Sequence, residues 1–186
     1  SLRQALYRLR QILAQDSERE PYLLVTANEV QINPRSDLWI DAVTFERLVS
    51  GRLLNHPDSP TLEAGCLEDL QRAIELYRGE LLRGFTLPHC EEFTDWQIIQ
   101  QGVYHRQALA ALTLLAEHYE ANREYEPLIA CTQRNIELEP WLESAYRHQM
   151  WALAMTGQRE RALRRYRDLQ EILQRELGIA PSERIR

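Results

Sequence analysis

Residues 107–177, QALAALTLLAEHYEANREYEPLIACTQRNIELEPWLESAYRHQMWALAMTGQRERALRRYRDLQEILQREL, decide the fold. A shift of 34 residues lays Ala111 on Ala145, Glu126 on Glu160, Ile129 on Leu163 and Glu137 on Glu171. That period belongs to tetratricopeptide-like helix pairs, in which each repeat buries its apolar face only by stacking on the next. The pattern predicts helices near 107–121, 125–138, 141–156 and 159–177. Asn122-Arg123 and Gly157-Gln158 read as the tight turns inside the two pairs. Pro140 separates the pairs, because proline cannot continue a helix.

Upstream, the chain keeps its helical character. Phe93, Trp96 and Tyr104 open a long helical stretch that runs on through Leu112, Leu115 and Tyr119, with Gly102 as the place for a kink or a split. Leu67, Leu70, Ile74 and Tyr77 mark another helix, stopped at Gly79. The clearest linker is Asn55 to Pro60, a succession of turn-forming residues. Before it, Asp41 is placed to cap a short helix presenting Phe45, Leu48 and Val49 ahead of Gly51. Trp96, Trp141 and Trp151 are expected to fill space between stacked helices, the usual use of large aromatics, rather than to form a ligand cage.

The first 35 residues are different. Leu2, Ala5, Leu6, Leu9, Ile12 and Leu13 follow helical spacing and make one apolar stripe. The opposite side shows Arg3, Gln4, Tyr7, Arg8, Arg10 and Gln11, and a polar break from Gln15 to Pro21 ends the helix. Residues 22–33 then read as two short strands, about 22–26 and 30–33, around Asn28, which tolerates the left-handed backbone of a tight turn. A helix followed by a hairpin is the back half of a winged helix-turn-helix. Since the chain opens at Ser1 in mid-helix, the front half is expected to lie upstream, and the leucines of the helix to dock on the hairpin.

Charge supports the division. The 186 residues carry a net charge of −6, which argues against a general nucleic-acid binder. Residues 1–35 nevertheless hold five Arg against four acids, whereas residues 36–186 hold 17 Arg against 24 acids. A second basic cluster, Arg159, Arg161, Arg164, Arg165 and Arg167, is spread around its helix, where Glu160 and Arg164 can pair as on a solvated face. Three scattered cysteines, Cys66, Cys90 and Cys131, make no disulfide framework. His89 beside Cys90 lacks the further ligands that a zinc site needs. Glu91, Glu92 and Asp95 suit a helix N-terminus rather than acid–base chemistry. With no P-loop, no G-x-G-x-x-G and no nucleophile–base arrangement, neither an enzyme nor a cofactor is expected. No apolar run approaches the length of a membrane span, and the expected location is the cytoplasm.

Several stretches carry a resemblance. Leu76-Tyr-Arg-Gly-Glu-Leu-Leu-Arg-Gly84 precedes Cys90-Glu-Glu-Phe-Thr-Asp-Trp96; Glu139-Pro140 leads to Glu143, Tyr146-Arg147 and Met150; Ala162-Leu163 and Tyr166 precede Glu176-Leu-Gly-Ile-Ala-Pro-Ser182. This series resembles the bacterial transcriptional activator domain of the Streptomyces antibiotic regulatory protein family. Leu2 to Arg10 is similar to that family's recognition helix, the hairpin to its wing, and Trp39-Ile-Asp41 with Phe45-Glu46 to the junction between its two domains. The resemblance implies a mainly α protein, with a partial winged helix at 1–35 and a tetratricopeptide-like activator domain at 36–186.

It further implies a DNA-binding transcriptional activator whose partners are promoter DNA, RNA polymerase and a second copy of the chain. Arg3, Gln4, Tyr7 and Arg8 would meet base edges, since Arg and Gln pair bidentately with guanine and adenine. Arg10 and Asn28 complete the expected DNA-binding set, with Arg10 on phosphate. Two features weigh the other way: Glu29 beside the wing tip, and the acidic body. They suit a protein-interaction module of a larger signalling ATPase without a promoter of its own, the alternative reading. A small-molecule sensor is a third, without a convergent polar set to support it.

Overall fold

The computed structural model describes residues 2–13, 21–26, 29–53 and 61–185, together with backbone but not side chains at Leu2, Arg3, Arg52 and Leu53. The expected polar break at 15–20, Asn28 and the linker at 55–60 lie outside the described residues. The chain divides into two compact units, residues 1–40 and 41–186.

The first unit holds α1 (Leu2–Leu13) and an antiparallel hairpin, β1 (Leu23–Val25) and β2 (Val30–Ile32), in the register Leu23–Ile32, Leu24–Gln31, Val25–Val30. The second is helical throughout: α2 (Asp41–Leu53), α3 (Ala64–Leu76), α4 (Glu91–Ala121), α5 (Tyr125–Leu138), α6 (Glu143–Met155) and α7 (Arg159–Glu176). Each helix from α2 onward packs on its neighbour in the chain, and α4 also touches α2 and α6. That layering is what a stack of helix pairs requires, because no single pair encloses a core.

The 34-residue period is deeper in the structure than in the sequence. Ala111, Leu112, Leu115, His118 and Tyr119 are buried on α4, and the positions 34 further on, Ala145, Tyr146, Gln149, Ala152 and Leu153, are buried on α6. The turns repeat as well. Glu124 N–H donates to Tyr119 C=O at 2.9 Å, and Gln158 N–H to Leu153 C=O at 2.8 Å. Such six-to-one bonds close a helix when the intervening residue takes a left-handed backbone. That residue is Arg123 (φ 58°) in the first pair and Gly157 (φ 76°) in the second. A side chain at this φ is strained, and glycine is not. Gly157→Ala should therefore destabilise by roughly 1 kcal/mol, and Arg123→Gly should stabilise by a few tenths. Urea midpoints of the two variants moving in the same direction would contradict this.

Two cores result. The larger joins Phe45 and Val49 of α2, Leu70 and Ala73 of α3, Leu112 and Leu115 of α4, Leu128 and Cys131 of α5 and Ala152 of α6. The Cys131 thiol donates to Leu112 C=O at 3.1 Å, and burial pushes its pKa up to about 12. It packs as a small hydrophobe. The smaller core gathers Ile136, Tyr146, Leu169, Leu173 and Ile185.

The motif residues explain themselves here. Tyr77 stacks on Phe45 with ring centroids 5.6 Å apart. Gln101 and Gln97 of α4 donate to Leu81 C=O (2.8 Å) and Leu82 C=O (3.2 Å), clipping the Tyr-Arg-Gly-Glu-Leu-Leu segment to the long helix. At the other end, the Ser182 amide and hydroxyl both donate to the Glu143 carboxylate, at 3.0 and 2.5 Å. That clasp holds the Pro-Ser ending on the start of α6 and delivers Ile185 to the smaller core.

Several expectations need correction. Helix α4 runs unbroken through Gly102, since one glycine weakens a helix by only about 1 kcal/mol and packing supplies more. For the same reason α2 passes Gly51 and ends at Leu53. Trp96 and Trp141 are not core residues: both are 46% exposed. Trp96 is in phase with Phe93 as expected and meets its ring at 5.6 Å, but nearly half of its surface stays exposed. Trp141 sits in the turn between α5 and α6. Trp151 alone of the three packs on the core, 5.4 Å from Tyr125. Glu160 and Arg164 form no ion pair among the described residues. Arg165 instead reaches Asp168 at 3.3 Å and Gln133 of α5 at 2.8 Å, because it lies on the packed side of α7.

One buried histidine makes stability depend on pH. His148 Nε2 lies 3.2 Å from the Glu120 carboxylate, with the Arg147 guanidinium against the same nitrogen. Burial, then Arg147, lowers its pKa below the ordinary 6.5, and together they outweigh the opposing pull of Glu120 and Glu117. The unfolded chain therefore takes up a proton that the folded chain refuses. This contribution to stability is present above pH 6.5 and is lost as pH falls below it. The unfolding midpoint should drop between about pH 7.5 and 5.5, and His148→Gln should reduce the drop. An unchanged pH profile in that variant would rule His148 out as the source.

Candidate nucleic-acid interface

Helix α1 bears three arginines and no acid, with Arg10 in its last turn, where a cation suits the helix dipole. At about 100° per residue, Arg3, Gln4, Tyr7, Arg10 and Gln11 occupy one side of the cylinder, and Arg8 lies at the edge of that side. Gln4, Tyr7, Arg8 and Arg10 are exposed. Gln4 makes a further contact of its own. The Tyr7 hydroxyl accepts a hydrogen bond from Gln11 Nε2 at 2.9 Å, one turn further along the helix. Four of the six expected DNA-binding residues thus belong to one helix with exposed side chains. The Arg3 side chain and all of Asn28 lie outside what the structure describes.

The opposite stripe departs from expectation. Leu6 and Leu13 are half-buried, but Leu9 is 42% exposed and Ile12 67% exposed. The leucines were expected to dock on the hairpin; at Leu9 and Ile12 no such cover exists among the described residues. Leu24, Val30 and Ile32 of the hairpin are likewise exposed, because a two-stranded sheet has no second layer with which to bury a face.

The hairpin base rests on a residue that sequence reading passed over. Asn33 is buried; its Nδ2 donates to Pro21 C=O at 2.8 Å, and its Oδ1 accepts from the Arg35 amide at 3.0 Å. An Asn followed by Pro is a turn signal, and that was the available clue. At the tip, Thr26 N–H donates to Glu29 C=O at 2.9 Å, closing the turn. Glu29 is exposed and accepts from Gln31 Nε2 at 3.1 Å, so its carboxylate is partly engaged within the hairpin.

The second basic cluster offers a weaker interface. Arg159, Arg164 and Arg167 are exposed, but Arg165 is committed to Asp168 and Gln133, and Arg161 to Gln158. These side chains point around α7 rather than to one side, so they cannot follow one phosphate backbone.

No described helix is long and apolar enough to cross a membrane. No curated protein matches the chain. The family model of the bacterial transcriptional activator domain, a regulatory rather than an enzymatic family, matches residues 40–186. That span takes in α2 to α7 with both repeat turns and the Glu143–Ser182 clasp, and the chain belongs to the bacterial transcriptional activator domain family.

Proposed function

We propose that this chain is the duplex-reading and activating part of a DNA-binding transcriptional activator. The observation that carries the reading is the acid-free face of α1, with Gln4, Tyr7, Arg8 and Arg10 exposed on a helix followed in the chain by a β-hairpin, in a chain whose other unit is an activator domain. Residues 1–35 act as the recognition helix and wing of a winged helix. Arg3, Gln4, Tyr7 and Arg8 meet base edges in the major groove, while Arg10 and Asn28 hold phosphate. Residues 36–186 present helical-repeat surface to RNA polymerase or to a neighbouring subunit, as stacked repeats do.

The chemistry is positional: cations neutralise phosphates and release their counterions, so affinity falls with salt. Three neutralised phosphates give a slope of about −2.7 in log affinity against log salt. Fluorescence anisotropy on promoter duplexes, with the gene product that carries this chain, measures it. Binding insensitive to salt, or to Arg8→Ala, would sink the proposal.

A further inference from the structure

The first half of α4 bears a stripe that nothing described covers. Glu92, Trp96, Ile99, Val103 and Arg106 succeed one another at spacings of four, three, four and three residues, which at about 100° per residue keeps them on one side of the helix. The opposite side is occupied: Phe93 meets Phe85 at 5.7 Å, Gln97 and Gln101 are bonded to the 81–85 backbone, and Tyr104 meets Phe45 at 5.7 Å with the rings tilted. On the stripe itself Trp96 is 46% and Ile99 62% exposed, and Val103 is half-buried. Glu92 and Arg106 are exposed, and neither makes an ion pair among the described residues.

An apolar centre with an acid at one end and a base at the other fits a helix bearing the same features in reverse order. The stripe turned end for end has that order, because Glu92 lies seven residues before Ile99 and Arg106 seven after it. We propose that two copies of this chain pair through the first half of α4, antiparallel, about a two-fold axis at Ile99. Glu92 of each copy then faces Arg106 of the partner subunit, and Trp96 lies over the partner subunit's Val103. Isologous pairing of this kind uses one patch twice. It also sets opposite ends of two helix dipoles side by side. The Phe85–Phe93–Trp96 ring ladder widens the seam on one edge. A seam of this length buries less than the ~800 Å² per partner of a standard interface, so the dimer is weak, on the order of 10–100 μM. The pairing does not depend on DNA binding.

Sedimentation velocity of the 186-residue chain from about 1 to about 500 μM tests it, a range that brackets that affinity. A monomer–dimer equilibrium is expected. Glu92→Arg or Arg106→Glu alone should weaken it about tenfold, and Ile99→Asp by about a hundredfold. The double reversal Glu92→Arg with Arg106→Glu should restore it to within about threefold of the parent, since the paired charges only exchange places. Circular dichroism checks each variant for native helix; if Ile99→Asp unfolds, Ile99→Gln at the same exposed position should still weaken pairing about tenfold. A chain that stays monomeric throughout, whatever else covers the stripe, overturns the proposal. So does a dimer indifferent to Ile99, or a double reversal no better than the single ones.

Discussion

Tyr146→Ala should lower the melting temperature of the helical repeat by on the order of 10 °C. The ring is 1% exposed and sits among Ile136, Leu169, Leu173 and Ile185, contributed by three different segments. Replacing a buried aromatic with alanine costs about 3–5 kcal/mol, a transfer contribution plus the cavity left behind. Collapse can recover little of this. The residues around the ring are anchored separately, by α5 packing, by α7 packing and by the clasp of Ser182 on Glu143. For a domain of this size each kcal/mol shifts the midpoint by about 2–4 °C, which yields the figure above. The matched control is Trp141→Ala. Its ring is as large but 46% exposed, and the expected loss is under about 1 kcal/mol. Calorimetry on the two variants separates burial from size. A Tyr146→Ala shift no larger than the Trp141→Ala shift would mean that the smaller core does not hold the second helix pair together.

The second large effect concerns α1 and divides its arginines by role. Arg10→Ala should weaken binding to every duplex alike and flatten the salt slope by about 0.9, because one phosphate contact and its released counterion are gone. Arg8→Ala should cost about 1–3 kcal/mol on the preferred promoter, roughly 5- to 150-fold, and much less on an unrelated duplex. Direct readout makes the difference: a bidentate contact to a base edge discriminates, whereas a phosphate contact positions without discriminating. Titrating both variants against both duplexes at two or three salt concentrations resolves the roles. Equal losses for Arg8→Ala on the two duplexes would assign Arg8 to the backbone. No loss for either variant would remove α1 from the interface and leave the activator domain as the functional part of the chain.

Helices and hairpin were legible in the order of residues because their determinants are local. Apolar spacing sets which residues can share a face, and Asn122-Arg123, Gly157 and Pro140 mark where helices must end. The predicted boundaries at 125–138 and 159–177 therefore agree with α5 and α7 to within a residue. The strands at 23–25 and 30–32 fell where the β-branched residues flank a turn. In the candidate interface, the outward position of Gln4, Tyr7, Arg8 and Arg10 followed from the same periodicity.

The order of residues thus sets the kind of each element and the period at which elements recur. Which apolar faces are covered depends on how the elements pack together. Trp96 and Trp151 look alike as residues on helices, yet one is exposed and the other packs on a core, because α4 begins some four turns before its partner α5 has anything to set against it. Asn33, His148 and the Glu143–Ser182 clasp became visible only when distant segments met, since burial and hydrogen-bond partners are properties of neighbours in space. Periodicity fixes the direction in which a side chain leaves its own helix; whether it meets water or another side chain depends on what the rest of the chain brings there.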